Sequence, residues 1–152
     1  KKFRVDDAVA ATKAALAEGI VAGGGVTLVN VAAGLTTEGA DSIAAGRHIL
    51  CDALRQPFLQ IMRNAGLNAD ALLAQVEAGK AGFGINVMKP EDGLVDVKKA
   101  GVIDPARVTK EAVQNAVSIA STAATMGALV VDIPEPEAPA APAGGMPGMG
   151  MM

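Results

Sequence analysis

Three consecutive glycines, Gly23-Gly24-Gly25, stand between two apolar segments of this 152-residue chain. They constrain the fold more than any other feature. Glycine has no Cβ, so it enters left-handed backbone conformations and lets a second backbone approach closely. A run of three ends the element before it and forces a tight connection into the next. Residues 26–35, directly after the run, are apolar enough for a buried helix that stops at or near Gly34. The segment before it reads as a helix over residues 3–18, in which Val5, Ala8, Val9, Thr12 and Leu16 recur at helical intervals. Asp6 and Asp7 are expected in or near its first turn, where carboxylates suit the positive end of the helix dipole. Gly19 is the expected left-handed stop.

Downstream, residues 41–64 carry an apolar face of Ile43, Ile49, Leu50, Leu54, Leu59, Ile61 and Met62. Pro57 inside that run lacks an N–H and clashes with the preceding turn, so a kink or a division in two is expected. Gly66 reads as a C-cap, and residues 68–78 as a short helix capped by Asn68. Glycines then punctuate residues 79–104, leaving room for short extended pieces at 84–87 and 94–97. Asp104-Pro105 reads as an N-cap followed by proline at the first helical position, opening a helix to about Met126. Leu129-Val130-Val131 reads as a short strand. Everything after Pro134 is low-complexity, Pro/Ala-rich and then Gly/Met-rich, and cannot bury enough surface to offset its ordering entropy.

Charge divides the chain at the same place. Net charge is −3, and all three excess acids, Asp132, Glu135 and Glu137, fall in the last 21 residues, beside five of eight prolines and four of seven methionines. No apolar run approaches the roughly 20 residues that span a bilayer. The opening Lys1-Lys2-Phe3-Arg4 is not a signal peptide, so a cytoplasmic location is expected. Cys51 is the lone cysteine and His48 the lone histidine, which excludes an internal disulfide, a cysteine-based zinc site and a histidine pair. No basic stretch with interleaved aromatics marks a nucleic-acid binder. The start without Met, with the helical pattern already running by Val5, suggests a piece of a longer chain.

Few residues can carry chemistry. The glycine run can present backbone N–H groups to an anion, or simply make a tight turn between packed helices. Asp6 and Asp7 can act as a general base or orient a water, or serve the helix terminus alone. Asp104 can accept hydrogen bonds from a sugar hydroxyl as well as cap a helix, since a carboxylate has two oxygens. Asn86 can read a base edge with its amide, or satisfy a turn. His48 and Cys51 lie three apart on one helix face, too few for a metal site, and no metal-binding set is expected. On these features alone the chain is a helical domain with a flexible tail, and they give no activity; a non-enzymatic helical oligomerisation module is one reading of it.

In order, these motifs resemble one family. Arg4-Val5-Asp6-Asp7-Ala8 and Glu18-Gly19-Ile20-Val21-Ala22-Gly23-Gly24-Gly25-Val26 are similar to the C-terminal part of the GroEL-type (group I) chaperonins. So are Ala53-Leu54-Arg55-Gln56-Pro57, Asn64-Ala65-Gly66, Gly101-Val102-Ile103-Asp104-Pro105, Arg107-Val108-Thr109 and the Gly/Met-rich end from Gly144. The resemblance implies a mainly α fold, a helical bundle of the chaperonin equatorial-domain type with one or two short strand pieces and a disordered C-terminal tail. It implies three parts: residues 1–18 as the last intermediate-domain helix, 19–131 as the C-terminal half of the equatorial ATP-binding domain, and 132–152 as a flexible tail.

The function so implied is ATP-driven capture, enclosure and release of non-native polypeptides by heptameric rings capped by a GroES-type co-chaperonin. Residue by residue, Asp7 stands where the family has the aspartate that activates water for attack on the γ-phosphate. Asp6 stands where the family often has Glu. Gly24 matches a glycine whose backbone lies against ATP, Asn86 an adenine-side contact, and Asp104 the carboxylate on the ribose hydroxyls. The family often has Tyr near Asn86, where this chain has Phe83 and Ile85. The Gly-Asp-Gly-Thr-type segment that holds phosphates and Mg²⁺ does not occur in residues 1–152, so the magnesium ligand is expected outside them.

Overall fold

A computed structural model of the chain describes residues 2–133. The Pro/Ala and Gly/Met-rich stretch from residue 134, and with it nearly all of the expected 132–152 tail, lies outside the described residues. Among those described, α1 spans Lys2–Glu18, α2 Val26–Gly34, α3 Ser42–Asn64, α4 Ala69–Ala78 and α5 Ala106–Ala124. Four three-residue strands form two antiparallel pairs, β1 (Ile20–Ala22) with β4 (Ile103–Pro105) and β2 (Phe83–Ile85) with β3 (Leu94–Asp96). The fold is therefore mainly α with short strand pieces. No helix among the described residues is long and apolar enough to cross a membrane.

The core is assembled from small aliphatic groups around one aromatic ring. Phe58 is fully buried with Val26, Val29, Leu59, Met62, Val76, Ile85 and Val97, drawn from α2, α3, α4 and the β2–β3 hairpin. A smaller cluster of Ala32, Cys51 and Leu54 joins α2 to α3, where the Cys51 thiol lies 3.5 Å from the Ala32 carbonyl. Pro57 does not divide α3, which runs unbroken from Ser42 to Asn64. An interior proline costs about 3 kcal/mol. Here Leu54, Phe58, Leu59 and Met62 are buried on either side of it, each contributing about 1.5–3 kcal/mol, so packing outweighs the lost hydrogen bond.

Local signals end the helices largely as the sequence indicates. Gly19 has φ 82° and donates its N–H to the Ala15 carbonyl at 2.8 Å. Gly66 (φ 73°) donates to Arg63 and Leu67 to Met62, the paired bonds of a Schellman stop. The Asn68 side chain accepts from the Ala71 N–H and caps α4.

Three expectations are corrected. Asp6 and Asp7 lie in the second turn of α1, because the helix already begins at Lys2. Asp104 does not cap α5: it is held in β4 opposite Val21, and the cap position falls to Pro105, with no side-chain bond to the helix. Leu129-Val130-Val131 forms no strand. All three are exposed, and no strand among the described residues lies alongside to take their backbone groups.

Candidate functional site

The glycine run explains itself once the neighbours are named. Gly24 and Gly25 both hold left-handed backbone, with φ of 65° and 79°. A Cβ on Gly23 would sit 2.9 Å from the Ile103 nitrogen, and one on Gly25 2.7 Å from the Phe58 nitrogen. Gly23 is thus pressed against the strand that carries Asp104, and Gly25 against the middle of α3. Only Gly24, whose nearest neighbour would be the Val102 side chain at 3.6 Å, has room. The turn therefore needs glycine at its two ends for close approach and at its last two residues for backbone conformation.

This turn opens α2 without a side-chain cap. The Thr27 hydroxyl turns back to the Ala22 carbonyl at 2.7 Å. The Gly23 N–H donates to the Val102 carbonyl at 2.9 Å, whereas those of Gly24 and Gly25 meet no backbone carbonyl among the described residues. N–H groups left open at a helix start favour an anion or a close polar ligand.

Pairing of β1 with β4 joins segments about 80 residues apart and sets Asp104 opposite Val21, three residues before Gly24. Asp104 is half-buried and enters no ion pair among the described residues. It lines a groove of about 210 Å³ whose other wall is Ala11, Thr12 and Ala15 of α1. Asp7 is one helical turn before Ala11 and so shares its side of α1. It is exposed, as is every described residue of α1 before Ala11.

Asn86 follows β2 directly. Its side-chain oxygen accepts the Met88 N–H at 3.0 Å, and its carbonyl accepts that of Lys89 at 2.9 Å. The turn-satisfying role is thus realised, and it occupies the amide oxygen while leaving the amide N–H groups as donors. The hairpin is seated on α2 through Gly84, which is buried between Val26 and Val97. Gly84 was not singled out by sequence reasoning. The signal that could have found it is its place in an apolar strand, where a glycine marks close approach of a neighbour.

Gly24 stands just before α2 and Gly84 sets the base of the Asn86 loop against Val26, whereas Asp104 faces the groove with α1, and Asp7 stands on that same helix, which packs on α5 and β4. These residues offer a carboxylate, an amide whose N–H groups remain donors, and the Gly24 and Gly25 N–H groups that meet no backbone carbonyl among the described residues. No three His, Cys, Asp or Glu side chains cluster among the described residues. A second, larger concavity of about 700 Å³ lies between α3 and α5, walled by Ile49, Leu54, Pro57, Val113 and Val117. Its lining among the described residues carries no titratable group.

Comparison with known proteins bears on the family and the fold. The family model of the TCP-1/cpn60 chaperonin family matches residues 1–134. The crystal structure of a group III chaperonin in the open state superposes with a TM-score of 0.67 at 25% sequence identity, over 77% of this chain and 25% of that one. The chain spans about a quarter of the length of that relative.

Proposed function

Since this chain belongs to the TCP-1/cpn60 chaperonin family, we propose that it supplies one side of the nucleotide site of an ATP-hydrolysing chaperone that encloses and releases non-native polypeptides. The observation that carries this reading is the long-range β1–β4 pairing, which sets Asp104, in no ion pair among the described residues, opposite Val21, three residues before Gly24, whose N–H meets no backbone carbonyl among them. Asp104 accepts hydrogen bonds from the two ribose hydroxyls. The Asn86 amide donates to the adenine edge, and Gly24 admits the nucleotide against bare backbone. Asp7 accepts a hydrogen bond from the attacking water and orients it toward the γ-phosphorus. A P–O bond forms to that water, the bond to the bridging oxygen breaks, and the products are ADP and inorganic phosphate. Such chemistry is mostly positioning and electrostatics, so one placed carboxylate has a large effect. Mg²⁺ would accompany the phosphates, held by residues outside 1–152, and would neutralise their charge.

The finer assignment is to the GroEL-type group I, with heptameric rings, a GroES-type co-chaperonin and a cytoplasmic location. It rests on the ordered motifs from Arg4 to Thr109 and the Gly/Met-rich end. Electron microscopy of the full-length protein tests it: seven-fold rings are expected, and rings of another order overturn it.

The site reading is tested by nucleotide affinity. In the full-length protein, Asp104→Ala is expected to weaken ATP binding at least on the order of tenfold, since it removes hydrogen bonds to a charged acceptor. Unchanged affinity would refute the ribose role. The 152-residue chain itself, titrated with Mg-ATP in a calorimeter, is expected to give no binding heat, because the phosphate-holding segment lies elsewhere. Clear one-to-one binding would contradict that division of the site.

A further inference from the structure

Gly84 is buried, yet nothing in its backbone demands glycine, since it is not among the residues with positive φ. What demands glycine is the space. A Cβ there would fall inside contact distance of the Val26 Cγ2 and 3.1 Å from the Val97 Cγ1. Neither valine can swing away: both are essentially fully buried, and a β-branched side chain has little freedom at χ1. Gly23 and Gly25 would each meet backbone, whereas Gly84 meets two stiff side chains. One of them, Val26, is the first residue of α2, next to the glycine turn. Two residues beyond Gly84 lies Asn86.

We propose that Gly84 is a positioning residue for the base end of the nucleotide site: its missing side chain lets β2 lie directly on Val26 and so sets the separation between the Asn86 loop and the Gly24 turn. The proposal rests on the nucleotide reading above and adds to it the determinant of base selection. A methyl group at residue 84 pushes the hairpin off α2. The Asn86 amide then moves relative to a nucleotide anchored at Gly24 and Asp104, while the reacting phosphate, at the other end, is left in place. Misplacement of about an ångström at a positioning contact is enough for large kinetic effects. The signature is therefore a loss of base discrimination carried by KM, with kcat little changed.

The test uses the full-length protein and compares kcat and KM for ATP and GTP, together with thermal melting. Gly84→Ala is expected to reduce the ATP-over-GTP preference on the order of tenfold through KM. Val26→Ala reduces it less, by loosening the seat. The Gly84→Ala/Val26→Ala pair adds one methyl group and removes the two Cγ methyls of Val26, including the one it would strike, and is expected to restore most of the preference, a non-additivity that residues in contact show. A Gly84→Ala protein that melts earlier but keeps its ATP-over-GTP preference would reduce Gly84 to a packing residue and overturn the proposal. If Gly84→Ala does not fold, an unchanged preference in Val26→Ala overturns it equally. Asn86→Ala separates the two levels. Loss of preference there without loss in Gly84→Ala sinks the positioning role alone. No loss in Asn86→Ala removes the base-end reading, and the proposal with it.

Discussion

Gly24 and Gly25 share a left-handed backbone but not a neighbourhood, and that difference ranks their substitutions. Gly24→Ala meets only ordinary van der Waals contact, with the Val102 side chain at 3.6 Å. It is expected to lose about 1–2 kcal/mol from the backbone conformation alone. Gly25→Ala bears the same conformational cost and in addition drives a Cβ to 2.7 Å from the Phe58 nitrogen, so it is expected to be the more damaging of the two. Urea denaturation of the pair measures this order, and equal losses would refute it. That a glycine run makes a tight connection was legible in the sequence, because glycine has one distinctive property. Which glycine serves conformation and which serves contact was not, since the contacts come from Phe58 and Ile103, far along the chain. Asp104 shows the same limit. Asp-Pro ahead of a helical pattern reads as a cap, but pairing with β1 draws Asp104 into a strand instead.

Elements are held by short-range signals more than by ion pairs. The joint between α3 and α4 carries the Gly66 stop, the Asn68 cap and an Arg55 guanidinium that reaches Glu77 at 2.7 Å and Asp52 at 3.0 Å. The hydrogen bond to Glu77, more than any other cause, raises the Arg55 pKa above its usual value, against the opposing effect of burial. Both carboxylates are partly exposed, so Arg55→Ala is expected to lose no more than about 1 kcal/mol, and less at high salt. Asn68→Ala, which removes the cap of α4, is expected to cost about 1 kcal/mol with no salt dependence. Chemical denaturation at low and high salt distinguishes the two. The helices were legible because period and caps are local. The β1–β4 strands were not, since three residues carry too little pattern and their partner is about 80 positions away.

Across the whole molecule, burial is one-sided. α1 and α5 contain no buried residue, and Ile49 and Val117 stand exposed along the α3–α5 groove. The 152-residue chain is therefore expected to bind a hydrophobic dye in its folded state, and Ile49→Gln is expected to weaken that binding. Cys51, buried between α2 and α3, reports whether the fold is intact. Its thiol is expected to resist a disulfide reagent until denaturant is added, and immediate reaction would show the α2–α3 cluster to be open. The catalytic role we propose falls to a residue outside that core. Asp7 stands on the exposed helix packed across β4, where a carboxylate serves chemistry more readily than stability. The direct measurement is steady-state ATP hydrolysis, with nucleotide affinity in parallel, for Asp7→Ala in the full-length protein. Turnover is expected to collapse while ATP still binds as tightly as before; turnover that persists unchanged would contradict the assignment of Asp7 as the residue that activates water.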